Sequence, residues 1–336
     1  MDSLMPQFTL FEISINIPPD QIEMYSAAMQ QWMLNVPTLY FLDVCSISHI
    51  KAYLPSKRIK DQHHNQSIRE LHDLDLTGNG VSYLSALMEK ASDQRTNFNV
   101  SEFLLEARRD WDAMGAFFKN ARVVEPWDFV ESYVNQLFGT HPEELIPEYL
   151  EFLQFANDRG LHNKISERKR LKMAQVLCTK ALELGISTSH PVVLVVIASI
   201  YGCEDARLVM KFSGKPGNFN PGNALGDIQT ISRAAGTLTD IVRRIGASGG
   251  PFRSAKFKTA DSSLQNLLRY LTMQSVHITE TEDGATHKFT MFPDAQRLYP
   301  NLFGPEGMPK DENSQVELFN LYKLLGVAYS TDNPAC

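Results

Sequence analysis

Val36-Pro37-Thr38-Leu39-Tyr40-Phe41-Leu42-Asp43 is an apolar run that closes on an acid. Residues 38–43 read as a first central strand. A carboxylate is costly in a core, so an acid closing a buried strand points into a crevice or onto a cation. A second segment of this kind lies far along the chain: Phe257-Lys258-Thr259-Ala260-Asp261-Ser262-Ser263-Leu264. It reads as the end of a strand, Ala255 to Ala260, followed by a helix from Ser262 to Met273. In an open α/β sheet the crevice at the strand carboxyl ends is where ligands bind. Two acids there, joined by acids on helices, suit a divalent metal. The plain alternative is two solvated strand ends.

The 336 residues are enough for one large domain with insertions or two smaller ones. A hydrophobic content of 43% with 21% charged residues marks a folded rather than a disordered chain. The net charge of −7 gives a polyanion no help from the global field, so any nucleic-acid contact must use local basic patches. Cys45, Cys178, Cys203 and Cys336 are scattered without a CxxC pair. That spacing argues against a zinc site or a disulfide framework and for reduced thiols in a cytoplasm. The first residues lack the basic and apolar regions of a signal peptide, and the most apolar window, Pro191 to Tyr201, is too short for a bilayer. The expectation is a soluble, cytoplasmic protein without a membrane partner.

Working outward from the first strand, residues 1–20 suggest an edge strand or arm, and Asp20 to Leu34 a helix capped by Asp20. A short apolar helix follows at 46–54. Lys57 to Asn65 is polar and basic; its neighbouring His63 and His64 diverge on any regular element, so a solvated loop or helix face is expected. Asp75 to Gly80 is a turn, and a helix is expected from Val81 to Lys90. Residues 101–185 read as an inserted helical subdomain. Pro191 to Tyr201 reads as a buried helix opened by Pro191. Further helices are expected at Glu204 to Phe212, from Asn223 to about Arg233, and at Gln315 to Leu325. Asp283-Gly284 signals a hairpin between His277-Ile278 and Lys288 to Met291. The fold class expected is α/β, a mostly parallel central sheet with helices on both faces. Its core is assigned to 1–100 and 186–275, and a C-terminal extension to 276–336.

Four acids stand where a metal site could use them. Asp43 ends the first strand, Glu89 lies near the end of the helix after the Gly-Asn-Gly turn, Asp227 begins a helix after a loop, and Asp261 ends the last central strand. Hard cations such as Mg²⁺ take oxygen ligands and keep several waters, so a few carboxylates suffice. Each acid also has an ordinary explanation: a strand-end cap for Asp43, a solvated helix position for Glu89, a favourable helix N-terminus for Asp227, and an N-cap for Asp261.

In order, the strand-end Tyr40-Phe41-Leu42-Asp43, the stretch Asn79-Gly80-Val81 through Glu89, Asn223-Ala224-Leu225-Gly226-Asp227, and Lys258-Thr259-Ala260-Asp261 resemble the PIN-like nuclease superfamily. Thr259-Ala260-Asp261 is the most specific match, because the family's last acid often follows a strand as Thr-x-Asp. The resemblance covers about a third of the chain in four islands. The chain departs from the family in having Cys45 where Ser or Asn is common, in its size, and in the long helical stretch between Glu89 and Asp227. The resemblance implies a parallel-sheet α/β/α fold and a cluster of acids, here Asp43, Glu89, Asp227 and Asp261, binding Mg²⁺ or Mn²⁺. It implies hydrolysis of phosphodiester bonds, RNA more often than DNA, by a metal-activated water. A toxin or antiviral effector is the biological role that analogy suggests. The alternative is an inactive PIN-like binding module acting through its helical insertion, where a protein partner or self-association is placed.

Arg243, Arg244, Arg253, Lys256 and Lys258 precede or lie within the strand leading to Asp261, and are the basic residues expected to meet phosphate. Lys51, Lys57, Arg58 and Lys60 follow the Asp43 strand as a second group. Asp73 and Asp75 lie close to the Glu89 helix and could assist metal binding, but as turn residues they are ordinary. Glu102 and Glu106, with Arg108 and Arg109, read as a solvated helix face. No nucleophile elbow or P-loop occurs, and Gly246 to Gly250 reads as a loop.

Overall fold

Thr38–Leu42 forms β1, and all of it is buried except the half-buried Tyr40. Leu39 and Phe41 pack with Phe252, whereas Leu42 packs with Ile47, Ile50, Leu71 and Val81. Burial of alternate residues in two different clusters explains the continuous apolar run, the mark of an inner strand of a parallel sheet. This computed structural model describes residues 36–55, 58, 61–92, 99–139, 146–232, 250–281 and 284–326, with side chains for all of these except 92, 138, 139, 273–290 and 292. The expected arm and helix within 1–34, Lys57, Lys60, Arg243, Arg244, most of the glycine-rich loop, Asp283 and Cys336 lie outside the described residues.

From β1 the chain continues through α1 (Val44–Tyr53) and α2 (Gln62–Asp73) to β2 (Gly80–Ser82). It then passes α3 (Leu84–Ser92) and α4 (Val100–Phe117) to β3 (Arg122–Val123). Helices α5 (Trp127–Gly139), α6 (Ile146–Asp158), α7 (Glu167–Glu183), α8 (Pro191–Ile200) and α9 (Glu204–Met210) follow, then α10 over 221–232. Strand β4 (Ser254–Lys258) leads to α11 (Ser262–Tyr270). The hairpin β5 (Leu271–Thr281) and β6 (Gly284–Pro293), α12 (Ala295–Leu298) and α13 (Glu312–Leu325) complete the described chain.

Strands β3-β2-β1-β4 form one sheet in that order, and every pairing within it is parallel. The chain moves outward from β1 through β2 to β3, then returns to place β4 on the other side of β1. The direction of winding therefore reverses between β1 and β4. At such a reversal the loops leaving the two strands part and open a crevice at their carboxyl ends. Asp43 leaves β1 there, and Asp261 follows β4. The pairing of Leu42 with Lys258 brings the two exits level.

Three expectations need correction. Val81 belongs to β2, not to a helix: Gly80, Val81 and Ser82 are all buried and paired, and the helix starts only at Leu84. A Cβ on Gly80 would strike the Phe252 ring and Val124, so the close approach of these elements requires glycine. The stretch 101–185 is not wholly an insertion. Helix α4 packs Phe103, Ala107, Met114 and Phe117 into the core with Ile47, Leu71 and Leu87, and β3 is an edge strand of the sheet. The hairpin is also longer than its turn signal suggests and begins at Leu271, so α11 stops before Met273.

A second core gathers α6 to α11 with α13. Every residue of α8 is buried, which settles its valine-rich sequence as a central helix, with His190 as its N-cap and Pro191 at its first position. Each fully buried Val, Leu or Ile contributes on the order of 1.5–3 kcal/mol. Among the described residues no helix is long and apolar enough to cross a membrane.

Candidate metal centre

Asp43 is both the residue after β1 and the N-cap of α1. Its Oδ1 accepts a hydrogen bond from the Ser46 amide at 2.7 Å, satisfying a donor that the first turn of a helix leaves free. Its Oδ2 accepts from the Thr259 hydroxyl at 2.5 Å, across the β1–β4 boundary. The same Thr259 oxygen accepts from the Asp261 amide at 2.9 Å. Thr259 thus ties the two strand exits together, which gives the Thr-x-Asp spacing a physical reason. Asp261 caps α11, its Oδ1 accepting from Ser263 and Leu264 amides. Both acids carry the cap roles expected of ordinary residues, and Asp261 lies close enough for its charge to act on Asp43.

Glu89 reaches the site from α3. Its Oε2 accepts from the Val44 amide at 3.2 Å, beside the Asp43 cap. A Cβ on Gly226 would lie 3.8 Å from the Glu89 side chain, so α10 passes directly against it. Asp227 follows on α10, in its second turn rather than at its start. Its Oδ2 pairs with the Lys211 ammonium at 3.2 Å. Lys211 closes α9 in the left-handed conformation, φ 52°, a strain of about 1 kcal/mol for a residue with a Cβ.

Electrostatics join the four acids. Asp43 is almost wholly buried, and burial pushes its carboxyl up against its two hydrogen bonds, with Asp261 adding to the rise. Asp227 is raised to about 6 by burial, opposed by Lys211 and reinforced by Asp261 and Asp43. The Cys45 side chain opens to solvent, yet the protein packed around its sulfur pushes the thiol up, followed by the fields of Asp43, Glu89, Asp227 and Asp261.

The donor set fits a hard divalent cation. It is oxygen-rich and negative, with the Lys211 ammonium against one member, and neighbouring carboxylates raise the proton affinity of Asp43 and Asp227, a repulsion that a bound cation would relieve. Among the described residues, no three Asp, Glu, His or Cys side chains are close enough to hold one ion as they stand.

The basic residues expected to meet phosphate fare differently. Arg253 donates its backbone N–H to Pro37, at the amino ends of β1 and β4. That is the edge opposite the acids, on the order of 15 Å away along a five-residue strand. Lys258 is mostly buried and ion-paired with Glu70. Lys256 is exposed in mid-strand, paired with Tyr40. None of the three stands over the crevice. Asp75 serves the fold: against the push of burial, the amides of Ala121, Lys119 and Asn120 hold its carboxyl low.

Other buried polar groups brace the helices that carry the acids. Asp110 is fully buried, accepting from Tyr83 Oη at 2.8 Å and pairing with Lys90 at 2.5 Å and Lys51 at 2.7 Å. Glu102, Arg108 and Arg109 are exposed as expected, but Glu106, half-buried, turns to Lys51 at 2.5 Å. Lys51 lies on α1, which Asp43 caps, and Lys90 follows Glu89 on α3. Glu125, also buried, accepts from Ser82 Oγ and the Tyr83 amide and joins the ends of β2 and β3. His63 is exposed on α2 as expected, whereas His64 is buried with its Nε2 3.1 Å from the His49 carbonyl, which corrects the solvated position expected for it.

The raised Asp227 carboxyl has a testable consequence. Its folded-state pKa lies above the usual carboxylate value, so the folded protein holds this proton more tightly than the unfolded chain. Stability is therefore lost as pH rises from about 4 to about 6, by roughly 3 kcal/mol at full extent. In chelator, Asp227→Asn is expected to remove this slope and to raise stability at pH 7. The measurement is urea denaturation of parent and variant across that range. Parallel pH profiles for the two proteins would refute it.

Comparison with models of protein families, with curated proteins and with solved structures finds no match.

Proposed function

We propose that the chain is a divalent-metal-dependent nuclease of the PIN-like type, with Asp43, Glu89, Asp227 and Asp261 as the acids that take Mg²⁺ or Mn²⁺. The observation that carries this reading is the Asp43–Thr259–Asp261 hydrogen-bonded bridge at the winding reversal between β1 and β4. A structural cap needs neither a buried carboxylate here nor a second acid beside it. When bound, a divalent cation would place positive charge on the scissile phosphate and ready a water for attack. The protein's part is to hold the acids. Helix α1 fixes Asp43 through Ser46, Thr259 sets its outer oxygen, α11 fixes Asp261, and the first amide of α1 orients Glu89. RNA as the substrate rests on the family resemblance alone.

The test is cleavage of labelled single-stranded RNA, structured RNA and DNA by parent and Asp43→Asn protein, with Mn²⁺ or with EDTA. Cleavage is expected in the parent only with metal. Equal cleavage by both proteins, insensitive to EDTA, would mark a contaminant and leave a non-catalytic binding role. Cleavage of DNA alone would keep the mechanism and change the substrate.

A further inference from the structure

Lys211 holds a position that its backbone disfavours. It closes α9 at φ 52°, and among the described residues no other non-glycine has a positive φ. Glycine fills such a helix end without strain, so a lysine kept there points to a use for its side chain. That side chain is 53% exposed, yet its ammonium lies 3.2 Å from Oδ2 of the mostly buried Asp227. The charges of Asp261 and Asp43 reach the same carboxyl, and Gly226 beside it lies against Glu89. The ammonium is thus bound to a member of the acid group.

Other cations are committed elsewhere. Lys51 and Lys90 pair with the buried Asp110, Lys258 pairs with Glu70, and Arg253 lies at the opposite edge of the sheet. Lys211 differs in that its partner is itself a proposed metal ligand. An ammonium, with one charge, holds a carboxylate less strongly than a divalent ion does. A pair half open to water is also weak, so Lys211 leaves Asp227 readily. We propose that Lys211 is the phosphate-binding residue of the nuclease site: it neutralises Asp227 in the metal-free protein and turns to a non-bridging oxygen of the scissile phosphate once Asp227 takes the metal. Lysine suits both roles, being a point charge on a flexible stem that carboxylate and phosphate accept alike. This inference rests on the nuclease reading and adds to it the positive charge that the expected basic residues do not supply.

Two measurements on the full chain test this, with parent, Lys211→Met and Lys211→Arg proteins. Methionine removes the charge and keeps an unbranched stem; arginine keeps the charge. In calorimetry, Lys211→Met is expected to bind Mn²⁺ about twofold or more tighter than the parent, because Asp227 has lost a competing cation. At saturating Mn²⁺ the same protein is expected to cleave labelled single-stranded RNA or DNA about tenfold or more slowly in kcat, because a charge on the scissile phosphate is gone. Lys211→Arg should stay close to the parent in both. A Lys211→Met protein that cleaves as fast as the parent overturns this inference and leaves the nuclease reading standing. So does Mn²⁺ binding that is weakened rather than tightened, or a variant that does not fold, each the mark of a pair that only holds Asp227 in place. A parent that binds no Mn²⁺, or binds it and cuts neither strand, overturns both.

Discussion

Asp43→Asn protein is expected to lose phosphodiester cleavage by about 100-fold or more and yet to fold as stably as the parent. The two expectations come from the same environment. The carboxylate is buried beside Asp261, and burial and repulsion already raise its proton affinity. Removing its charge relieves both. The amide keeps the cap, because its oxygen still accepts from the Ser46 amide, and Asn caps helices as well as Asp. Its NH₂ group faces the Thr259 hydroxyl, which can turn to accept. Cleavage falls because electrostatic stabilisation of the scissile phosphate is worth about 10²–10³ in rate per interaction lost. The assay above reads the activity, and thermal melting in EDTA reads the fold. A melting temperature well below the parent's would show that Asp43 serves structure first.

Asp110→Ala carries the largest expected stability effect. Asp110 is the buried anion between Lys51, Lys90 and Tyr83. Breaking a buried ion pair from one side costs about 3–5 kcal/mol, because the partner charge stays behind. Lys51 keeps a third of its side chain in water and can turn outward, but Lys90 is only 15% exposed. That difference places the loss near the lower end, about 3 kcal/mol. Urea denaturation measures it, and a loss below about 1 kcal/mol would contradict it. Lys90 adjoins Glu89 and Lys51 lies on α1, so the same change loosens two helices that carry site residues.

What the sequence made legible depended on burial and length. Strand β1 showed itself because both its faces are buried, which leaves an unbroken apolar run with a conspicuous acid after it. Thr259 and Asp261 showed themselves because a local turn needs both. Strands β2 and β3 are three and two residues long, too short to display alternation, so Val81 reads as helix and Arg122–Val123 as part of an insertion. Their strand character comes from pairing with partners distant in sequence. Asp110 did leave a signal. Phe103, Ala107, Asp110, Met114 and Phe117 share one helical stripe, and an acid on an apolar stripe demands a buried cation. His64, with Ser67, Ile68 and Leu71, is a second case. Lys211 left none, because the left-handed position favours glycine and nothing in the residue type points to Asp227. The loss of Lys258 to Glu70 was equally hidden, since that pair joins residues 188 positions apart.

Titration of the parent, Asp43→Asn and Asp261→Asn proteins with Mn²⁺ by calorimetry is the most direct measurement of whether these carboxylates form a metal centre. Saturable binding by the parent is expected, weakened at least tenfold in each variant while both variants keep the parent's fold. Mn²⁺ binding that is absent from the parent, or equal in all three proteins, would contradict it.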